Sequence, residues 1–116
     1  YAADLPVFAT SRIYNGIYQD DLNRDLSNIY FTSMPWTMPK QLPRKLQSNY
    51  EMHVAYKQLY ARGYDSLLLL RNLETLKLNT DYTVFGATGE LSLVNMTIKR
   101  RVQWAHFQDG KVRSLP

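Results

Sequence analysis

Val84-Phe85-Gly86-Ala87-Thr88-Gly89-Glu90-Leu91-Ser92-Leu93 is the stretch that decides the fold, and Trp104-Ala105-His106-Phe107 follows it closely. The two glycines predict a tight loop, and the Leu-Ser-Leu alternation after them predicts a strand. The loop lacks the third glycine of a dinucleotide loop and the Lys-Ser/Thr pair of a P-loop, and it leads into a strand rather than a helix. The stretch therefore predicts a structural turn in an α/β segment, with no visible active site.

The composition is that of one folded domain. The 116 residues are 45% hydrophobic and 21% charged, which excludes disordered and collagen-like chains. The longest apolar run, Leu67 to Leu70, is far too short to span a bilayer. The chain starts at Tyr1 rather than at Met and shows no signal sequence, so we expect a processed chain or a piece of a longer one.

The charge and the cysteine content limit which classes of partner and of metal site the chain can have. The net charge of +4 is mild, and the bases form no sharp stripe interleaved with aromatic residues, so we expect no nucleic-acid partner. The absence of cysteine excludes disulfides and thiolate metal sites. A cysteine-free chain fits the cytosol and the periplasm equally well.

Two apolar stretches near the start are predicted to be strands. Leu5–Ser11 is a short apolar run with Pro6 near its beginning, where strands tolerate proline. Ile29–Met34 is β-branched and aromatic, and Pro35 ends it. The two stretches are too far apart for a tight hairpin, so we expect a parallel pair.

One long helix is predicted over residues 49–77, because apolar residues recur there mostly at spacings of three and four. Ser48 and Glu51 fit a capping box at its start. Either Gly63 ends one helix and Asp65 caps another, or Gly63 admits a close neighbour into one continuous helix, which we favour. A tyrosine stripe on this helix predicts core packing or an interface between domains: Tyr56, Tyr60 and Tyr64.

The residues after the glycine loop predict further strands. Asn95 marks a break, and Thr97–Phe107 alternates imperfectly, ending with Val102, Trp104 and, out of phase, Phe107. Asp109-Gly110 is a turn that brings Val112–Leu115 back as a partner strand.

Three consecutive bases lie within the first of these strands. They could bind phosphates, but successive residues of a strand point to opposite faces, so we favour a solvated sheet edge that discourages aggregation. The three are Lys99, Arg100 and Arg101.

Residues that could carry chemistry form no recognisable set. His53 and His106 have no second histidine or carboxylate at metal-ligand spacing, so we expect neither a metal nor a cofactor. Ser11 and Ser33 follow strands but lie outside any Gly-x-Ser-x-Gly pattern. A glycosidase pair needs carboxyls roughly 5 to 9 Å apart across a cleft. The acids that could supply one are interleaved with polar residues and are predicted to be solvated: Asp20, Asp21 and Asp25.

Six motifs, taken in order, carry a family resemblance. They are Leu5–Gly16, Arg24-Asp25-Leu26, Met34-Pro35-Trp36, Leu59–Asp65, Gly86–Leu93 and Trp104–Phe107. In this order and spacing they resemble the C-terminal domain of the LppC-type lipoproteins, which activate a penicillin-binding protein. The likeness runs from about Leu5 to Gly110.

The resemblance implies an α/β fold with two lobes, like that of type I periplasmic binding proteins, with parallel sheets and flanking helices. This chain would be its C-terminal portion. Residues 1–36 would belong to the second lobe and residues 37–101 to the first lobe with the long helix. Residues 102–116 would return to the second lobe.

The function implied by the resemblance is non-catalytic regulation of peptidoglycan synthesis. The protein would activate a class A penicillin-binding protein by direct contact, from the periplasm, tethered to the outer membrane by a lipid anchor absent from this chain. As part of a larger fold, strands such as Val7–Thr10 would lack neighbours. We therefore expect self-association or a companion fragment.

Two other functions stay open. A solute-binding module would hold its ligand beyond the carboxyl ends of strands, near the crossing between lobes. The candidates are Thr10, Ser11, Tyr14, Met34, Pro35, Trp36 and Trp104. An enzyme would rest on the aspartate cluster alone, and we expect no enzyme.

Overall fold

The computed structural model describes residues 5–14, 16, 20–38 and 54–115. Seven strands and two helices lie in these ranges, with short 3-10 turns at Ser11–Ile13 and Pro35–Thr37. The helices are α1 (Asp20–Arg24) and α2 (Val54–Leu78). The strands are β1 (Val7–Ala9), β2 (Ile29–Ser33), β3 (Thr83–Phe85), β4 (Glu90–Val94), β5 (Thr97–Arg101), β6 (Gln103–Gln108) and β7 (Lys111–Ser114).

Four strands form the first sheet, in the order β1-β2-β6-β7. The predicted parallel pair is confirmed, with Phe8 opposite Tyr30. β6 pairs antiparallel with both β2 and β7, and the predicted Asp109-Gly110 turn joins β6 to β7 with both residues in the left-handed region, φ 51° and 74°. This geometry matches the right-handed twist of the strands that the turn connects.

The second sheet has the order β3-β4-β5 and is antiparallel throughout. Its β4–β5 turn uses Asn95 and Met96 at φ 49° and 60°, so the predicted break at Asn95 is confirmed. The expectation of parallel sheets is thus correct only for β1 and β2 among the described strands. The others run antiparallel because short turns join most of them to their sheet neighbours.

The stretch Thr97–Phe107, which alternates imperfectly, forms two strands. Val102 separates β5 from β6, and the two strands belong to different sheets. The imperfect alternation at this place has a physical reason, because the side chains on either side of Val102 face different surroundings.

Helix α2 is continuous through Gly63, as expected. The reason offered for that glycine is wrong, because a Cβ built at Gly63 meets no described atom within 4 Å. Asp65 does not cap a second helix, since it lies inside the same one. The capping box at Ser48 and the predicted helical residues 49–53 lie outside the described residues.

Each sheet has its own core. Tyr14, Phe31 and Phe107 pack together on one face of the first sheet, with ring centroids 5.0 to 6.2 Å apart. On the second sheet, Val84 and Leu93 pack against Leu76 of α2. Burial of such side chains is the main favourable term for each unit.

The opposite faces of both sheets carry exposed apolar side chains. Phe8 is 64% exposed beside Tyr30, and Phe85 is 82% exposed on the second sheet. Helix α2 adds several more on its outward side, among them Leu59, Leu67 and Leu70. In the described ranges, no helix combines the length and the apolarity that crossing a membrane would require.

The three consecutive bases behave as expected. Lys99, Arg100 and Arg101 are exposed on β5, which is an edge of the second sheet within the described part of the chain. The prediction of a solvated edge is confirmed.

Two glycines give a matched test of the backbone. Gly89 has φ 144°, and a Cβ there would lie 2.3 Å from the Arg101 carbonyl oxygen. We expect Gly89→Ala to lower the free energy of unfolding by at least about 2 kcal/mol, from strain and a backbone clash. Gly63→Ala, in open space within a helix, should instead raise it by about 1 kcal/mol. Urea denaturation followed by circular dichroism measures both, and equal effects of the two substitutions would contradict this backbone geometry.

Candidate functional site

The two sheets meet around the glycine loop of residues 86–89. After β2 the chain turns at Pro35–Thr37, where the Trp36 amide donates to the Ala87 carbonyl over 3.2 Å. After β5 it crosses back at Val102 into β6. The loop therefore lies next to both places at which the chain passes from one sheet to the other.

Asp65 of α2 holds this loop. Its side chain is 2% exposed, and its carboxylate accepts from the Ala87 amide over 2.6 Å and from the Thr88 amide over 2.8 Å. The Thr88 hydroxyl donates to the same carboxylate. Three donors thus compensate the burial of one carboxylate, a charge that is otherwise costly to remove from water.

The loop needs its first glycine because of Asp65. A Cβ at Gly86 would lie 2.5 and 2.6 Å from the two carboxylate oxygens. The Gly86 amide donates within the loop to the Gly89 carbonyl over 2.9 Å. The amides of residues 86, 87 and 88 are therefore all engaged inside the protein, which explains why this loop does not resemble a phosphate-binding one.

Sequence reasoning missed this role of Asp65. The available signal was its position, since Asp65 lies four residues after Ala61 and on the same helical face as the buried Leu76. A buried acid requires hydrogen-bond donors. The donors that contact Asp65, the amides of Ala87 and Thr88, lie 22 and 23 residues further along the chain.

A cavity of about 710 Å³ opens beside the loop. Of the seven predicted ligand-site residues, Pro35 and Trp104 line it. The other lining residues come from the ends of β3, β4, β5, β6 and β7: Phe85, Gly86, Gly89, Glu90, Arg101, Val102, Gln103 and Leu115.

The remaining predicted ligand-site residues lie elsewhere. Tyr14 is buried in the first core, and burial raises the pKa of its phenol above the ordinary value. The Trp36 ring packs on Tyr60 and Tyr64 of the predicted tyrosine stripe, at centroid distances of 6.1 and 4.7 Å. All three tyrosines of the stripe are nevertheless exposed.

The other predicted ligand-site residues take part in backbone turns. The Thr10 carbonyl accepts from the Ile13 amide, and Ser11 is exposed in the turn that follows. The Met34 carbonyl accepts from the Thr37 hydroxyl, to which Ser33 in turn donates over 2.7 Å. These residues order the ends of β1 and β2.

The described residues contain no cluster of three or more histidines, cysteines or acids that could hold a metal ion. His106 stacks on Tyr30, and His53 lies outside the described residues. Asp21 and Asp25 are exposed, as predicted for solvated acids.

Two sheets, one long helix and a buried carboxylate between them define a mixed α/β domain. The chain belongs to the family described as "LppC putative lipoprotein", whose model matches residues 1–110. The resemblance found in the sequence motifs is therefore confirmed.

Two curated relatives carry the same name. The penicillin-binding protein activator LpoA of Histophilus somni is 25% identical over 114 residues, which are 96% of this chain and 20% of the relative. The protein of the same name from Haemophilus influenzae is 26% identical over 114 residues, covering 94% and 20%. The chain therefore spans about a fifth of the length of these curated relatives.

Solved structures agree with this assignment. Full-length LpoA from Haemophilus influenzae superposes with a TM-score of 0.79 at 26% identity, over 97% of this chain and 22% of that one. The C-domain of LpoA from the same organism, a regulator of PBP1A, gives 0.81 at 25% identity, over 98% and 37%. The present fold is thus that of part of this C-domain.

The Asp65 interaction can be tested by an isosteric change. Asp65→Asn keeps the shape but leaves at least one loop donor facing an NH₂ group, so we expect it to lower the free energy of unfolding by about 2 to 4 kcal/mol. Asp21→Asn, at an exposed position of α1, is the matched control and should change stability by less than about 0.5 kcal/mol. Urea denaturation of both variants measures the difference. Similar stabilities for the two would show that the carboxylate does not hold the loop.

Proposed function

We propose that this chain is part of the C-terminal domain of a non-catalytic regulator of peptidoglycan synthesis. The regulator activates a class A penicillin-binding protein by direct contact. It works in the periplasm and is tethered to the outer membrane by a lipid anchor elsewhere in the longer protein. The observation that carries the proposal is the family match over residues 1–110, joined to relatives that are named as activators.

The fold suits activation by contact. Activation by contact needs a stable surface rather than a reacting group, and each unit here consists of a sheet packed on its own core. We assign residues 1–36 and 102–116 to one lobe and residues 37–101 to the other. In support, β1, β2, β6 and β7 form one sheet, whereas β3, β4 and β5 form the other against α2.

The uncovered apolar faces support a larger assembly. Phe8, Phe85 and the outward side chains of α2 present exposed apolar surface on three elements. Soluble monomers rarely leave such surface open over a wide area. We infer that it is covered by other segments of the longer protein or, in their absence, by a second copy of this chain.

The contact function is tested with the full-length protein. Immobilised protein should retain a purified class A penicillin-binding protein, and its addition should increase cross-linking of peptidoglycan by that enzyme. Deleting the segment that corresponds to this chain should remove most of the stimulation if the C-terminal domain makes the contact. As a control, the denatured full-length protein should do neither. Native protein that neither binds nor stimulates the enzyme would refute the proposal.

Association of the 116-residue chain alone is a separate test. Among the described residues β1 is an edge strand, and the outward side of α2 is exposed. Sedimentation velocity should therefore show species larger than a monomer, whose proportion increases with protein concentration. Leu67→Glu with Leu70→Glu, both on exposed positions of α2, should shift the distribution towards monomer without loss of helical signal. A stable, monodisperse monomer of the unaltered chain at all concentrations would contradict the inference.

A further inference from the structure

Strand β5 is an edge of the second sheet within the described part of the chain. Among the described strands only β4 pairs with it, and all five of its residues are exposed. An open edge presents a row of backbone amides and carbonyls with which another extended chain can pair. β5 can therefore accept a further strand on the side away from β4.

The register of the hairpin shows which backbone groups are available. The two-residue turn at positions 95–96 makes its flanking residues, Val94 and Thr97, a hydrogen-bonded pair. Such pairs occur at every second position of an antiparallel ladder, and the residues between them direct their backbone groups away from the neighbouring strand. The amides and carbonyls of Ile98 and Arg100 therefore point to the open side.

This edge carries an excess of positive charge. Three of its five residues are bases, namely Lys99, Arg100 and Arg101. Glu90 lies 3.8 Å from Arg101, and within the described ranges neither of the other two bases has an acid at salt-bridge distance. Cross-strand pairs of opposite charge are favourable, so these bases favour a neighbouring strand with acidic side chains.

A second copy of β5 does not suit this edge. Pairing two copies of β5 side by side would bring the bases of one strand next to the bases of the other, and like charges at that distance are destabilising. The charges that protect the edge from self-pairing thus leave it open to an acidic strand.

The side chains of β5 alternate between two kinds of surroundings. Ile98 lies opposite Leu93, which is buried towards α2, and Ile98 itself is 38% exposed. A strand beside β5 can cover Ile98 with an apolar side chain on this face. Its next residues lie on the other face, beside Lys99 and Arg101, since successive side chains of a strand point to opposite sides. The complementary sequence therefore alternates acidic and apolar residues.

We propose that β5 binds an extended segment of a partner protein, with alternating acidic and apolar residues, as an added antiparallel strand. The backbone of the segment pairs with the amides and carbonyls of Ile98 and Arg100. Its carboxylates contact Lys99 and Arg101, and one apolar side chain covers Ile98. This surface is an addition to the proposed activation by contact, and the proposal stands whether or not the penicillin-binding protein supplies the segment.

Fluorescence anisotropy with the full-length protein tests the proposal. The probe is a labelled synthetic peptide that alternates glutamate and valine and is longer than the five residues of β5. Saturable binding is expected. A peptide of the same composition with glutamates and valines in separate blocks should bind at least about tenfold more weakly, because it cannot match both faces. A peptide with lysine in place of glutamate should also bind at least about tenfold more weakly, because its charges repel those of β5.

Methylation of peptide amides distinguishes strand addition from attraction between charges. An added antiparallel strand uses the amide of every second residue. In the proposed register a valine lies opposite Ile98, so methylation of the valine amides should abolish binding. Methylation of the glutamate amides, which point away from β5, should preserve it. Both peptides keep every charge of the unmodified probe.

Two variants connect binding to this edge. Lys99→Glu should weaken binding of the acidic peptide at least about tenfold and should strengthen binding of the lysine peptide. Lys111→Glu makes the same charge change at an exposed position of β7, an edge strand of the first sheet among the described strands, and should leave binding unchanged.

Four results would overturn the proposal: no saturable binding of the alternating peptide, equal binding of the block peptide, equal effects of the two methylation patterns, or equal loss in both variants. The comparisons between peptides use the unaltered protein and do not depend on the folding of a variant. Stimulation of the penicillin-binding protein is measured separately, so either proposal can fail without the other.

Discussion

The carboxylate of Asp65 is the interaction on which the rest of the structure depends. It joins the middle of α2 to residues 87 and 88. A buried carboxylate with three donors is favourable only when all of them are in place. The helix, the loop and the second sheet are therefore positioned as one unit, since moving any of them leaves a charge or an amide without a partner in an apolar setting.

The same loop also contacts the residues that follow the first sheet's strand β2. Its Ala87 carbonyl accepts from Trp36, whose ring also packs on Tyr60 and Tyr64 of α2. On its other side, Gly89 lies against the backbone of Arg101, directly before the chain crosses into β6. Both passages between the sheets are thus held against one loop. The two glycines are required because a carboxylate approaches the first and a backbone carbonyl approaches the second.

Local features of this fold could be predicted from the sequence, and features that depend on distant contacts could not. The strand over residues 29–33, the parallel pairing with β1 and the Asp109-Gly110 turn follow from side-chain type and turn chemistry within a few residues. The residues alone give no sign of the split at Val102, because both flanking stretches favour strands and only tertiary packing places them in different sheets. A crossing at this place was expected only from the family resemblance. The role of Asp65 could not be predicted, because its partners at residues 87 and 88 are distant in sequence. In the candidate site, Pro35 and Trp104 were found through the crossing between sheets, whereas Glu90, Arg101 and Gln103 gave no local signal.

The loop that stabilises the fold also forms part of the cavity wall, and this sets a limit on how the cavity can change. Gly86 and Gly89 line the cavity with their backbone, which is already fixed by Asp65 and Arg101. The side chains opposite them, Trp104 and Phe85, are exposed and have room to move. If the cavity changes shape, the aromatic side chains therefore move and the loop does not. The position of one sheet against the other is consequently set by the hydrogen bonds of residues 86–89, whether or not the cavity is occupied.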